Sequence, residues 1–205
     1  YERGLLYFIN KGFLVPPIAK QPDFQIDISK LRVLRGEYRQ DDIDAQTLNL
    51  EMARDQVTDA LNRSQGRKKI VWACSSINHA ELIRDILQSN GEEAVTLHSK
   101  MTWEDRDISE DLFRNKSARH LTFVSVISEG YDQPNIDTVV LMRPTKSPTL
   151  MVQICGRGLR TYPEKSDCLI LDFANVISSM GPLENPVIQK KGKGKGEQEP
   201  PQKSC

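Results

Sequence analysis

The chain has 205 residues, of which 38% are hydrophobic and 27% are charged, so it carries enough apolar material for one ordinary domain with a sizeable core. Its 28 basic and 28 acidic side chains cancel, so net charge neither favours nor excludes a nucleic acid as partner. No run of about 18 apolar residues is present to span a bilayer, and there is no charged-then-apolar leader. We therefore expect a cytoplasmic protein with no membrane partner.

The cysteines agree with a reducing compartment. Cys74 and Cys168 lie in apolar runs, where a reduced, buried thiol packs as a small hydrophobe. The cysteine spacings do not match those of paired metal ligands, so we predict no metal site within the chain. One alternative stays open at the end of the chain, where Cys205 would be the first Zn²⁺ ligand of a zinc ribbon that continues further.

The first part of the chain has weak periodicity. Residues 1–10 are typical of the last turns of a helix, and the prolines that follow Leu14 favour extended backbone. A single helix is predicted from Asp44 to Arg63, because apolar residues recur there with loose helical spacing.

From Lys69 onward, short apolar runs alternate with amphipathic segments. The predicted strands are 69–74, 94–98, 121–127, 138–142 and 168–173, and the predicted helices are 79–89 and 102–115. Ser75 or Ser76 caps the first of these helices, and Thr102 caps the second. Four residues of the second helix are predicted to face the core: Trp103, Ile108, Leu112 and Phe113. This cadence predicts an α/β fold, doubly wound, with a mostly parallel sheet and helices on both faces.

Two polar loops follow neighbouring predicted strands. Residues 129–134 contain Gly130, which lets backbone approach a ligand, and Asp132, which can accept from a hydroxyl. Residues 143–148 follow the next strand. Because open α/β sheets bind ligands beyond the carboxyl ends of their strands, we expect a site at this edge. The alternative is that Gly130 and Asp132 only form a turn.

A pair of arginines lies in the segment 153–160, which reads Q-I-C-G-R-G-L-R. If a helix opens near Pro148, then Gln153, Arg157 and Arg160 fall on one face, because residues three or four apart are helix neighbours. Arginine in this setting favours phosphate, since its planar fork stays charged and binds phosphoryl oxygens bidentately. Two solvated surface arginines are the alternative.

These motifs resemble those of a known family. The stretches S-E-G-Y-D-Q-P-N-I-D, R-P-T-K-S-P and Q-I-C-G-R-G-L-R are similar to motifs V and VI of superfamily 2 helicases and translocases. The sequences of these motifs are most similar to those of bacterial RadD-like DNA helicases and of restriction-enzyme motor subunits. The resemblance covers roughly residues 68–175. It implies the second of two RecA-like motor domains.

The resemblance also implies roles for individual residues. Arg160 is the principal arginine finger toward ATP held on a first motor domain, and Arg157 shares that phosphate. Gln153, Gly130 and Asp132 line the same nucleotide cleft.

The nucleic-acid track is expected on the opposite rim of the domain, where amides and hydroxyls at helix starts face phosphates. The candidates are Ser75, Ser76, Asn78 and Ser125. Val124 stands where the family has a threonine, which weakens the assignment of Ser125. Helix capping alone is an equal alternative for Ser75 and Ser76.

The sequence has no G-x-x-x-x-G-K-[ST] loop and no Asp-Glu box, so ATP and Mg²⁺ are expected mainly on the first motor domain, and the chain alone is expected to be inactive. Residues 1–67 are predicted to be an interdomain segment that packs on the motor domain, 68–180 the motor domain, and 181–205 a disordered Lys/Gly-rich tail. DNA is the expected partner and RNA stays open. The competing interpretations are a restriction-enzyme motor and a non-motor α/β binding module.

Overall fold

The structure is a computed structural model that describes residues 4–115, 117–124 and 133–183. In these residues the strands are β1 (Pro17–Lys20), β2 (Val33–Leu34), β3 (Glu37–Tyr38), β4 (Ile70–Cys74), β5 (Ala94–Leu97), β6 (His120–Val124), β7 (Thr138–Leu141) and β8 (Cys168–Asp172). The helices are α1 (Leu5–Asn10), α2 (Gln40–Thr47), α3 (Leu50–Arg63), α4 (Ile77–Ser89), α5 (Trp103–Asn115), α6 (Pro148–Gly158) and α7 (Val176–Met180), and a 3-10 turn spans Ile28–Lys30.

Six of these strands form one sheet in the order β1-β8-β7-β4-β6-β5, while β2 and β3 form a separate antiparallel pair. Every neighbouring pair in the large sheet is parallel. The burial of the inner strands β4, β7 and β8 explains their sequence signal, because strands covered on both faces have continuous apolar runs rather than alternation. The predicted doubly wound α/β fold, with a parallel sheet and helices on both faces, is confirmed.

Successive residues of the buried strands pack into two separate hydrophobic cores, one on each face of the sheet. Val71 and Ala73 of β4 point to the face that carries Phe113 of α5 and Met151 of α6. Their neighbours Ile70, Trp72 and Cys74 point to the other face, where α3 and α4 pack. The two helix layers therefore flank a sheet whose central strand is buried on both sides.

All the parallel strands begin at one edge of the sheet and end at the other. We call the edge at the first residues of β4, β7 and β8 the amino rim, and the edge at the last residues of β4, β5 and β6 the carboxyl rim. A strand of five residues is roughly 16 Å long, so the two rims are about that far apart.

The helix predicted over 44–63 is wrong as a single element. The chain forms α2 and α3 instead, because the Asn49 side chain accepts a hydrogen bond from the Met52 N–H at 3.0 Å and starts a new helix. Leu48, at the break, is exposed.

The inward side of α5 is also partly wrong. Phe113 is fully buried as predicted, but Trp103 is 80% exposed and Ile108 is 59% exposed. Trp103 lies in the first turn beside the Thr102 cap, whose hydroxyl accepts from the Asp105 N–H. Apolar residues at these two positions of α5 are therefore exposed, and Phe113 near the end of the helix is the residue that is fully buried.

Part of the segment 1–67 is built into the sheet layer. β1 pairs with β8 at the sheet edge, and Ala53, Val57 and Ala60 of α3 are buried in the core beneath β4. The domain boundary at residue 67 stays a prediction. Residues 184–205, which include most of the predicted tail and Cys205, lie outside the described residues.

Candidate nucleotide-facing and nucleic-acid-facing rims

Helix α6 carries the arginine segment across the sheet. It begins at Pro148, where the Ser147 hydroxyl accepts from the Leu150 N–H at 3.2 Å, shortly after the carboxyl end of β7. It ends at Gly158 over the first residues of β7 and β8. The arginines therefore lie at the amino rim. Because open α/β sheets bind ligands beyond the carboxyl ends of their strands, a site was expected at the carboxyl rim. The arginines lie at the other rim, because a helix between parallel strands returns toward the edge where the next strand starts.

The end of α6 rests directly on the strands beneath it. A Cβ added at Gly158 would lie 2.5 Å from Cys168 Sγ and 2.7 Å from Val139 Cγ2, whereas one at Gly156 would meet nothing within 4 Å. Gly158 is thus required for the close approach between helix and sheet. This contact fixes the distance between the end of α6 and the sheet. It therefore also positions the backbone of the residues that directly follow α6.

The three polar residues of the segment do not share one helix face. Gln153 is exposed and Arg157 half-buried, and both lie within α6. Arg160 lies beyond the end of α6, where it forms an antiparallel bridge with Leu14. Only Gln153 and Arg157 therefore keep the predicted helical relation, and Arg160 is presented from an extended segment.

The backbone around Arg160 is held from two sides. The Val15 N–H donates to the Leu159 carbonyl at 2.8 Å, beside the bridge between Leu14 and Arg160. On the other side, Lys165 Nζ donates to the Arg160 carbonyl at 2.8 Å. These contacts fix the backbone position from which the Arg160 side chain extends. Sequence reasoning missed both contacts: the bridge joins segments far apart in the chain, and the Lys165 bond depends on a turn without a periodic pattern.

A cleft of about 630 Å³ opens at the amino rim beside these residues. Its walls include the ion pair between Arg67 and Asp167, whose nearest atoms are 2.7 Å apart. Asp137 accepts from the Lys68 N–H, and Lys165 completes this polar wall. The Arg67 guanidinium and the Ser166 hydroxyl hold the pKa of Asp167 below its ordinary value despite burial, so the carboxylate stays ionised.

The carboxyl rim carries the predicted nucleic-acid contacts of α4. The Ser76 hydroxyl caps the helix by accepting from the His79 N–H at 3.3 Å, and Asn78 is exposed in the first turn. Ser75 is only 5% exposed, and its hydroxyl lies 2.9 Å from His79 Nδ1 and 3.2 Å from Thr47 Oγ1. Asn78 is therefore the residue of this group that solvent reaches most freely, while Ser75 ties the start of α4 to α2.

Two histidines, His79 and His120, are buried and contact other protein side chains. Burial lowers the pKa of His79 to about 4, so its ring is neutral at physiological pH. His120 accepts from Trp72 Nε1 at 3.1 Å, and its other ring nitrogen lies 3.0 Å from a Glu92 carboxylate oxygen. Since Nδ1 is an acceptor, the proton resides on Nε2 and faces Glu92.

Three predicted site residues, Gly130, Asp132 and Ser125, lie outside the described residues. Their described neighbours are Val124, at the carboxyl end of β6, and Gln133, which is buried and donates to Asn135 Oδ1 at 2.7 Å.

The described residues contain no group of three or more His, Cys, Asp or Glu side chains that could hold a metal ion. Cys74, Cys155 and Cys168 are buried free thiols. In the same part of the chain, no helix combines the length and the apolar character needed to cross a membrane.

The profile of the helicase conserved C-terminal domain matches residues 52–162, which is more than half of the chain and includes the arginine segment. The chain belongs to this helicase C-terminal domain family. Its fold is accordingly that of the second RecA-like motor domain of superfamily 2 helicases, as the motifs predicted.

Two relatives illustrate the range of the family. The chain is 27% identical over 195 residues to the putative ATP-dependent helicase IRC3 of Saccharomyces cerevisiae, covering 92% of this chain and 27% of the relative. It is 27% identical over 184 residues to a type I restriction enzyme EcoAI endonuclease subunit of Escherichia coli, covering 78% and 23%. The helicase domain described here thus spans about a quarter of the length of each.

A solved structure supports the fold over nearly the whole chain. A fragment of a putative HsdR subunit of a type I restriction enzyme from Vibrio vulnificus matches 91% of this helicase domain and 38% of that chain, with a TM-score of 0.68 and 20% identity. The match extends well beyond residues 52–162, so the similarity in fold includes residues outside the matched family region.

Proposed function

We propose that this domain is the second motor domain of an ATP-dependent DNA helicase or translocase. In this proposal Arg160, assisted by Arg157, reaches the terminal phosphate of ATP held on a preceding RecA-like domain. The observation that carries the proposal is the way Arg160 is presented, from a backbone fixed by Leu14 and Lys165 at the rim of the sheet. A preorganised cation stabilises developing charge without reorganising at the moment of reaction.

The residues present fit one half of a nucleotide site. Arg157 on α6 and Arg160 beyond its end supply positive charge, and the exposed Gln153 on α6 supplies a hydrogen-bonding amide for a triphosphate. The sequence lacks the phosphate-binding loop and the acidic box, so the preceding domain must bind ATP with Mg²⁺. When bound, ATP supplies the phosphoryl group that is transferred to water. The chain's own contribution is positive charge, delivered when the two domains close.

We propose that the carboxyl rim binds the nucleic acid. Asn78 and Ser76 lie at the start of α4, where free backbone N–H groups and the helix dipole favour a phosphate. The carboxyl rim is opposite the arginines. Closure of the two motor domains on ATP at the amino rim therefore changes the contacts with nucleic acid at the carboxyl rim. That separation is the property a translocating motor needs.

The isolated 205-residue chain is expected to show no ATP hydrolysis, with or without DNA, because it lacks a loop to cradle the phosphates. The full-length protein is expected to hydrolyse ATP, and single-stranded DNA should stimulate it. Phosphate release by both proteins is the measurement. DNA-stimulated turnover by the chain alone, from material free of contaminating ATPases, would contradict the proposal.

Asn78→Asp in the full-length protein is expected to weaken single-stranded DNA binding roughly fivefold to tenfold at low salt, because it places a negative charge beside a phosphate. An acidic residue in the first turn favours the helix, so lost binding would not reflect unfolding. The matched control is Asn62→Asp, the same exchange at an exposed position near the end of α3. Fluorescence anisotropy with labelled strands measures both variants.

Equal effects of the two exchanges would remove the carboxyl rim as the nucleic-acid track. RNA of the same sequence serves as the second probe, and tighter binding to RNA than to DNA would replace DNA as the proposed substrate.

A restriction-enzyme motor is the second candidate. The identity of 27% over 184 residues to the EcoAI endonuclease subunit favours it. A nuclease motif elsewhere in the full-length sequence, together with DNA cleavage that depends on ATP, would select this candidate over a helicase without nuclease.

A further inference from the structure

The side chain of Lys165 joins three backbone carbonyls at the end of the arginine segment. Its Nζ donates to the carbonyls of Gly158 at 2.6 Å, Arg160 at 2.8 Å and Pro134 at 3.1 Å. An ammonium group has three hydrogens, so all its donors are used within the protein. An external ligand therefore cannot bind this ammonium without breaking an internal bond.

The three carbonyls come from two segments of the chain, which the sequence predicts to have different roles. Gly158 and Arg160 belong to the arginine segment, and Pro134 lies two residues after the predicted nucleotide residue Asp132 in the sequence. Gly158 ends α6, where carbonyls lack a helical partner and a cation is favoured by the helix dipole. One side chain thus ties the end of α6, the backbone of Arg160 and the backbone of Pro134 together.

The loop that delivers Lys165 is shaped for this contact. Glu164 adopts a positive φ of 67°, which non-glycine residues seldom do, and the Lys165 N–H closes a turn on the Tyr162 carbonyl at 3.1 Å. This turn directs the chain back toward α6. The position is partly buried, and the loss of solvation lowers the pKa of the Lys165 ammonium below its ordinary value of 10.5.

We propose that Lys165 is a positioning residue for the arginine finger: its ammonium holds the carbonyls of Gly158, Arg160 and Pro134 and so sets where the Arg160 guanidinium points. The inference rests on the proposed role of Arg160. Displacing a positioned group by about 1 Å can lower a rate about a hundredfold. Lys165 therefore affects turnover without touching nucleotide.

The principal test is a double-mutant cycle in the full-length protein. Lys165→Met keeps the length of the side chain and removes the donors, and it should lower the ATP turnover number about tenfold to a hundredfold with little change in KM. In an Arg160→Ala background, Lys165→Met should have no further effect on turnover, because the group that it positions is already absent. Lys68→Met is the control, since Lys68 lines the same cleft but is exposed.

The outcomes separate the two proposals. If Arg160→Ala leaves turnover intact, the finger itself is refuted. If Arg160→Ala lowers turnover but Lys165→Met does not, or if the two effects multiply, Lys165 does not act through Arg160. Should Lys165→Met fail to fold, Lys165→Gln, which retains two donor hydrogens, should give a smaller loss of turnover that also vanishes in the Arg160→Ala background.

A second readout needs no nucleotide. In a ¹H–¹⁵N spectrum of the lysine ammonium groups, Lys165 should give a resonance protected from exchange at neutral pH, because all three hydrogens are bonded. Lys68 should give none. The protected signal should vanish in Lys165→Met, and its absence from the parent protein would refute the three-carbonyl clamp.

Discussion

Arg160→Ala in the full-length protein is expected to lower the ATP turnover number by about two orders of magnitude or more, while nucleotide affinity changes far less. An arginine finger acts mainly on charge that develops during phosphoryl transfer, and in other nucleotide hydrolases it contributes about 10³–10⁵ in rate. Arg157→Ala should behave similarly. Replacement of Arg160 by lysine should rescue little, because an ammonium on a flexible stem does not reproduce the bidentate fork.

The matched control for this prediction is Arg84→Ala. Arg84 lies on α4, on the face of the sheet opposite α6, where it pairs with Asp85. Its loss should leave turnover unchanged. Steady-state kinetics and the thermal unfolding midpoint of each variant are the measurements. Near-parental turnover in Arg160→Ala, or loss of turnover explained by unfolding, would make the arginines structural.

Gly158→Ala is expected to destabilise the chain by about 1–3 kcal/mol, because the added methyl would overlap Cys168 Sγ and Val139 Cγ2 in a close-packed core. Gly156→Ala is the matched control in the same helix. Its methyl would meet nothing within 4 Å, and alanine is the better helix former, so it should be neutral or stabilising by roughly 0.5–1 kcal/mol.

Urea unfolding of both glycine variants measures the difference. If the two exchanges shift the free energy of unfolding equally, then α6 does not rest on the strands as closely as the structure has it. In that case the packing of Gly158 on the strands would not contribute to the position of Arg160.

Much of the fold could be predicted because the inner strands of its large sheet are buried on both faces. Continuous apolar runs marked β4, β5, β7 and β8 to within two residues. β1 was missed, because it begins at Pro17, lies at the sheet edge and pairs with a strand near the other end of the chain. A parallel edge strand of this kind has no local signal for its partner.

The candidate site was only partly predictable for a similar reason. Motif spacing selected Arg157 and Arg160, but helix periodicity placed both on one face, while the end of α6 at Gly158 puts Arg160 in an extended segment. The Lys165 clamp depends on tertiary contacts and on the turn at Glu164, neither of which has a periodic signature. Trp103 was predicted to be buried because it is apolar and lies on a periodic face, but it is exposed in the first turn of α5.

The central claim is that this domain supplies Arg160 to the transition state of ATP hydrolysis. The most direct measurement compares the affinity of the full-length protein for ATP and for ADP with aluminium fluoride, an analogue of the transferring phosphoryl group, in the parent and in Arg160→Ala. We expect the variant to lose about a hundredfold or more in affinity for the analogue, while its affinity for ATP changes little. Equal losses for both ligands, or none for the analogue, would contradict it.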